Sequence, residues 1–307
     1  MSDVPGGTDC TIRRLAGINE YIQCEELQRR AWHFAGDLDV IPRTQLVAAQ
    51  KAGGMVLGAF DAGDQLVAFC YGFRGEDDRG QALHYSQMLA VDESRRSTGL
   101  GARLKWAQRE IALQQGLRLM AWTFDPLRSL NAYLNFGKLG VIVETYFENL
   151  YGETTSRLHR GTPTDRLVAA WHLDSERVAA RERGERGALA QEIAAGRLDL
   201  PEALATMTPD DPVPQPGTPE LGLDTEHVTC EIPTAIQDVM EADPTAALAW
   251  RTATRQVLQH YLGRGYFVRQ CVRLAVPVPR TLLVLERGAP EAALGPLRID
   301  KEHRREH

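Results

Sequence analysis

The sequence predicts an α/β fold, and three observations carry that expectation. Apolar runs of strand length alternate with helical periods through the first half of the chain. The runs MVLGAF and QLVAFCYGF, split by DAGD, have the turn chemistry of a hairpin. The segment MLAVDESRRSTGLGARLKWAQRE, Met88 to Glu110, passes from a strand through a small-residue turn into an amphipathic helix. At 307 residues, 43% hydrophobic and 25% charged, the chain is long enough to bury a full core.

Taken in order, a strand at Cys10–Leu15 precedes a helix beginning near Asn19, whose buried stripe is Tyr21, Ile22, Leu27 and Trp32. A second helical piece surrounds Gln45–Ala52, and the hairpin follows. ALHYSQMLAV is the next strand. The helix after it carries Leu100, Leu104, Ala107 and Ile111 at helical spacing, a stripe that must face a sheet. RLMAWTF reads as a strand, PLRSLNAYLNFGKLG as a helix stopped at Gly140, and VIVETYF and DRLVAAWHL as two strands. Residues 175–207, rich in Ala, Arg and Glu, suit an exposed helix or helix pair. The prolines between Pro209 and Pro219 forbid regular structure and mark a linker. VTCEIP is then a strand, PTAALAWRTATRQVLQHYLGRGY a helix with Trp250, Val257 and Tyr261 on one side, and YFVRQCVRL and TLLVLE a closing strand pair. The tail RIDKEHRREH is charged and solvated. Three segments result: a domain over 8–173, a helical and proline-rich segment over 174–226, and a C-terminal α+β extension over 227–307. The extension is small for a core of its own, so it is expected to pack on the first domain or across a homodimer interface.

A formal charge of −6 argues against a nucleic-acid protein. Cys10, Cys24, Cys70, Cys230 and Cys271 are odd in number, widely spaced and without a CxxC pair, which suits reduced thiols in a cytoplasm and no metal site. No basic leader opens the chain and no apolar run has the length of a membrane span.

The turn before the Leu100 helix is the most informative stretch. A helix N-terminus leaves backbone N–H groups without partners and carries partial positive charge, so it attracts anions. Gly99 and Gly101 allow close approach to the main chain, Ser97 and Thr98 can cap or donate, and Arg95 and Arg96 add charge. The P-loop spacing is absent, and GLGARL lacks the third glycine of the dinucleotide fingerprint. What remains is R-x-x-G-x-G at Arg96, Gly99 and Gly101, between the strand ending LAVD and an amphipathic helix.

That arrangement, with the later NAYLNFGKLG, resembles the GNAT N-acetyltransferase superfamily, most closely over Met88 to Gly140. The wider pattern WTFDPLRSLNAYLNFGKLG, FENLYGE, DRLVAAWHL and AWRTATRQVLQHYLGRGY is similar to a group of large bacterial members, some of them linked to N-succinylation of amino acids. The resemblance implies a mixed, mostly antiparallel sheet with splayed central strands. It implies acetyl-CoA or succinyl-CoA as acyl donor, with the pyrophosphate on Arg95, Arg96, Ser97, Thr98, Gly99, Leu100, Gly101 and Ala102. Main-chain groups of Leu89, Ala90 and Val91 would hold pantetheine and polarise the thioester, with Asn131 as a further CoA contact.

Acyl transfer also needs an amine stripped of its proton and a thiolate that can leave. The resemblance places Tyr85 where many members carry a glutamate base, so a water chain touching Tyr85, Gln87 or His84 would serve. The usual acid, four residues before the helix-closing glycine, falls on Phe136, which cannot donate; Tyr133, one turn earlier, is the substitute. A carboxylate on acyl group or acceptor calls for an arginine fork, for which Arg166, Arg251 and Arg255 are candidates. The expectation is an N-acyltransferase for a small amine, an amino acid above all. The alternatives are acetylation of another small amine or a protein amino group, and a non-catalytic acyl-CoA-binding regulator.

Overall fold

The structure, a computed structural model, describes residues 10–34, 36–152, 162–207, 211, 213–275 and 278–296. The first nine residues, the tail RIDKEHRREH, Glu153 of FENLYGE, and Pro209 and Pro212 of the proline-rich stretch lie outside them. Two compact units are present: the described residues up to Trp122, and Thr123–Gly152 with the described residues from Thr162 onward.

The first unit contains β1 (Thr11–Arg14), α1 (Ile18–Trp32), α2 (Arg43–Lys51), β2 (Met55–Phe60), β3 (Leu66–Glu76), β4 (Ala82–Val91), a 3₁₀ turn at Glu93–Arg95, α3 (Leu100–Gln114) and the start of β5 (Leu119–Phe124). Its strands lie in sequence order, antiparallel except for β4 against β5, which run parallel. The hairpin turn is set by Asp61, whose Oδ1 accepts from the N–H groups of Gly63 and Gln65 at 2.9 and 3.0 Å. All of MVLGAF is buried because helices cover both faces of the sheet. Val56 and Phe60 pack with Tyr21, Leu27 and Leu46 of α1 and α2, while Leu57 and Ala59 pack with Leu100 and Leu104 of α3. Ala107 and Ile111 complete the α3 stripe at its margin.

The second unit holds α4 (Ser129–Ala132), a π-helix at Tyr133–Leu139, β6 (Ile142–Phe147), β7 (Arg166–His172), α5 (Glu176–Glu182), α6 (Ala188–Ala194), β8 (Glu202–Leu204), β9 (His227–Ile232), α7 (Ile236–Ala242), α8 (Pro244–Gly263), β10 (Tyr266–Leu274), β11 (Arg280–Arg287) and α9 (Pro290–Leu294). Strand order is β7-β6-β10-β11-β9-β8, antiparallel apart from β8 beside β9. Asp243 caps α8 by accepting from the Thr245 N–H at 2.8 Å, with Pro244 at the first helical position. Trp250, Val257 and Tyr261 are fully buried along that helix.

Two elements differ from the sequence expectation. PLRSLNAYLNFGKLG is one short α-turn followed by seven π-helical residues, closed as expected by Gly140 in the left-handed region at φ +80°. The exposed helix pair of 175–207 is two short helices followed by β8. The proline-rich stretch has no helix or strand of its own, but its described part is bonded to its unit. Gly217 N–H donates to Ala205 O, Glu220 N–H to Ala203 O, Trp250 Nε1 to Pro214 O and Tyr261 Oη to Glu220 O. All five cysteines are free and buried. Among the described residues no helix is long and apolar enough to cross a membrane, and no group of His, Cys, Asp and Glu is arranged for a metal.

Candidate functional site

The first unit concentrates its unusual geometry where β4 leaves β5. Against β3 the register slips: Tyr71 faces Met88 but Phe73 faces Tyr85, so β4 carries one extra residue at Ser86–Gln87. This is a β-bulge, and it changes the twist of the strand. The parallel ladder with β5 consists of His84↔Met120 and Tyr85↔Ala121. Beyond the bulge β4 is laddered to β3, with Met88, Leu89, Ala90 and Val91 opposite Tyr71, Cys70, Phe69 and Ala68. The Asp92 N–H donates to Val67 O at 2.8 Å, which fixes the phase of the ladder. By alternation Ala90 and Met88 turn their main-chain polar groups toward β3, whereas Leu89 and Val91 turn theirs to the other side.

The turn that follows is held by its own side chains. Asp92 accepts from the Ser94 N–H at 3.1 Å and the Ser94 hydroxyl at 2.8 Å, and Thr98 Oγ1 donates to Arg95 O at 2.7 Å. Hydrogen bonding to Ser94, aided by Arg30 and Arg96, holds the Asp92 carboxyl below its ordinary pKa. Ser97 and Gly99 both have left-handed backbone, at φ +65° and +86°. They reverse the chain so that α3 starts at Leu100 with Gly99 as its cap. The cap supplies no side-chain acceptor, and Arg103 N–H is the donor that reaches Gly99 O. The N–H groups of Leu100, Gly101 and Ala102 are thus the orphans of the helix start. A Cβ on Gly101 would meet only Val91 Cγ2 and Leu89 Cδ2, at 3.6 and 3.7 Å. Arg96 does not face that opening alone: its Nη2 donates to Ala31 O at 3.1 Å at the end of α1.

His84 is buried on the α3 side of β4, and its Nε2 lies 2.9 Å from Gln108 Nε2. Since the amide nitrogen only donates, His84 Nε2 is the acceptor and the ring is neutral. Burial, with Lys105 and Arg14 nearby, pushes its pKa down to about 3. Tyr85 points to the opposite face, half-buried, with its ring 5.7 Å from that of Phe73; Gln87 is exposed.

The remaining candidates belong to the second unit. Tyr133 opens the π-helix and is half-buried. Its ring lies over Gly137, where a Cβ would come within 2.9 Å of it, and Arg273 sits 5.8 Å from its centroid. Phe136 is fully buried, edge-on to Phe124. Asn131 is exposed on α4. The three arginines have different surroundings. Arg251 makes a two-pronged pair with Asp125, at 2.6 and 2.9 Å. Burial pushes the Asp125 carboxyl up, but the Arg251 charge and its hydrogen bonds outweigh this and hold it below the carboxylate range. Arg255 is similarly forked on Asp165, at 2.9 and 3.0 Å, and reaches Glu148 at 2.6 Å. Arg166 donates to the Asp165 carbonyl at 2.9 Å and lies 5.2 Å from the centre of the Tyr151 ring, where burial lowers its pKa.

Several polar residues here escaped the sequence. Lys105, Ser86 and Gln108 are buried beside His84, and in the second unit Asp125 and Asp165 are the partners of Arg251 and Arg255. Tyr146, which the sequence offers with Trp122, Phe124 and Tyr151 as a lining for an acceptor pocket, donates its hydroxyl to Asp165. Lys105 and Gln108 differ by three positions on the apolar side of α3, a polar intrusion that the sequence does display.

Over residues 17–137 the chain matches the profile of the acetyltransferase (GNAT) family. No curated protein matches it. Among solved structures it is similar to an aminoglycoside 6′-acetyltransferase type Ii (18% identity, TM-score 0.42, 53% of this chain and 97% of that one). It is also similar to the ribosomal-protein-S18-alanine N-acetyltransferase of Escherichia coli (16%, 0.42, 53% and 94%). A GNAT-family acetyltransferase of Streptococcus pneumoniae is alike to the same degree (17%, 0.43, 53% and 98%).

Proposed function

We propose, from the match of residues 17–137 to the acetyltransferase (GNAT) family, that this protein transfers an acyl group from a CoA thioester to a small amine, with an amino acid as acceptor. The observation that carries this is the corner of β4 and α3. The ladder to β5 comprises His84 and Tyr85, Leu89 and Val91 turn their main-chain groups to that side, and the orphan N–H groups of Leu100, Gly101 and Ala102 follow. A pyrophosphate suits those three N–H groups and the Ser97 and Thr98 hydroxyls beside them. The pantetheine amides suit the main chain of Leu89 and Val91, and an N–H there stabilises the oxyanion of the tetrahedral intermediate.

Proton transfer is assigned by what each group can give or take. His84 is neutral with Nε2 engaged by Gln108, so removal of the ammonium proton falls to water held at Tyr85 and Gln87. Tyr133, with its hydroxyl on a half-buried ring beside Arg273, is the donor to the departing thiolate. For the acceptor carboxylate, or that of a succinyl donor, Arg166, at the head of β7 beside the Tyr151 ring, is the fork to test first.

Thiol release from acetyl-CoA and succinyl-CoA, each against a panel of D- and L-amino acids, tests this. Amino-acid-dependent release supports it. Release only with polyamines or protein N-termini would move the acceptor class, and tight CoA binding without release under any condition would favour a regulator. A Met in place of Arg166 is expected to lower turnover of the carboxylate-bearing partner ~10- to 100-fold, equivalent to the ~1.5–3 kcal/mol of a charge-assisted bond.

A further inference from the structure

Inside the first unit a chain of buried side chains joins α3 to the β4 bulge. Lys105 Nζ donates to Ser86 Oγ at 2.7 Å, and the Ser86 hydroxyl donates to Gln108 Oε1 at 2.9 Å. Gln108 Nε2 donates to His84 Nε2 at 2.9 Å. An ammonium can only donate, so the chain runs from Lys105 to His84. Lys105 also sits 3.5 Å from the centre of the Trp122 ring on β5 and 4.0 Å from Met120 Sδ. No carboxylate meets its ammonium among the described residues. Gly72, on β3 opposite the bulge, leaves room for this arrangement: a Cβ there would lie 2.3 Å from His84 Nε2 and 2.5 Å from Tyr85 O.

A buried lysine without a counter-ion is costly, and a merely apolar α3 face would pack as well. The four side chains meet where β4 gains its extra residue and the β5 ladder holds His84 and Tyr85. We propose that Lys105, Ser86, Gln108 and His84 are positioning residues that hold the β4 bulge, and thereby aim the main chain of Leu89 and Val91 at the pantetheine arm of CoA. This rests on the acyl-CoA reading of the same corner.

The groups facing Lys105 come from three strands and its own helix: Cys70 on β3, His84 and Ser86 on β4, Met120 and Trp122 on β5, and Gln108 on α3. Burial raises the Cys70 thiol to about 12 and lowers His84 to about 3, so both are neutral near pH 7. Burial lowers Lys105 to about 7, which leaves it as the titrating member of the set.

The test compares CoA with its pantetheine-free fragment, adenosine 3′-phosphate 5′-diphosphate, by calorimetry on the full chain between pH 6 and 8.5. The fragment is used as the methyl ester of its terminal phosphate, so that in both ligands the 3′-phosphate is the one phosphate that titrates in this range and their affinity ratio isolates the pantetheine contacts. In the wild type the ratio is expected to fall about threefold or more as pH rises through about 7, as the charge-assisted bond to Ser86 becomes a neutral one. Lys105→Met keeps the volume but removes the charge. It should weaken CoA about tenfold, leave the fragment within about twofold, and abolish the pH step. Ser86→Ala breaks the chain at its centre by removing one oxygen, and gives the same comparison if the methionine variant does not fold. Wild-type affinity for CoA in these variants, or equal losses for both ligands, overturns the positioning role while leaving the acyl-CoA reading intact. A wild-type chain that binds neither ligand overturns both.

Discussion

Asp125 and Arg251 lie 126 positions apart in sequence, yet each is the other's hydrogen-bond partner in a buried pair. Removing one charge strands the other, so Asp125→Asn is expected to cost about 3–5 kcal/mol in urea unfolding. Arg255→Met should cost less, because the buried Asp165 carboxylate keeps the Tyr146 hydroxyl and the Asn149 N–H as donors. His84 supplies a pH prediction of definite sign. Its folded pKa, about 3, lies below the ordinary imidazole value of 6.5, so between those values the unfolded chain binds more protons. Stability should therefore fall as pH drops from about 6.5 toward 3, and His84→Gln should flatten part of that slope. Tyr133→Phe removes one hydroxyl; as the acid to the thiolate it should lose roughly two orders of magnitude in kcat with little change in CoA affinity. At this scale the sequence was half legible. Arg251 and Arg255 stood out as forks for a carboxylate, but the carboxylates they hold are Asp125 and Asp165, which no local spacing connects to α8. His84 stood out as a titratable group, while the Gln108 amide that consumes its lone pair is invisible until α3 is laid on the sheet.

Elements were read more fully, because hydrophobic period and turn chemistry are local. The strand ALHYSQMLAV has the bounds of β4, and the helix stripe from Leu100 packs as its spacing requires. The bulge inside β4 was not legible: a one-residue slip reverses which face a side chain takes, and Ser86 and Gln87 are polar either way. The π-helix escaped for a similar reason. A run of seven residues advanced by one does not separate a period of 3.6 from a wider one. Gly72 tests how firmly the bulge is built. Gly72→Ala drives a methyl into His84 Nε2 and the Tyr85 carbonyl, and should cost about 2 kcal/mol or more, seen as a lowered Tm. Gly99→Asp meets open space but a left-handed backbone, and places a negative charge at the start of α3. It should abolish CoA binding in calorimetry while the circular dichroism spectrum stays normal.

For the whole molecule, the sequence correctly announced an α/β chain with a mixed, mostly antiparallel sheet; what it could not give was the bonding of the stretch after β8. Prolines announce where regular structure stops, but they do not say whether the chain there is loose or tied. Here Trp250, Tyr261 and Arg264 of the second unit take carbonyl oxygens of Pro214, Glu220, Leu221 and Leu223. Limited proteolysis is therefore expected to spare the Leu221 and Leu223 positions on the native chain, and Trp250→Phe, which removes one buried N–H donor, should expose them.

The burial of all five cysteines has a practical consequence for anyone handling this protein. Cys24, Cys70, Cys230 and Cys271 have thiols that burial holds protonated well above neutral pH. A thiolate-selective dye should then find almost nothing to stain on the native chain. Colour from such a dye would come from liberated coenzyme rather than from the protein blank, and one cysteine introduced at an exposed position such as Gln87 would accept a fluorophore or spin label against a silent background.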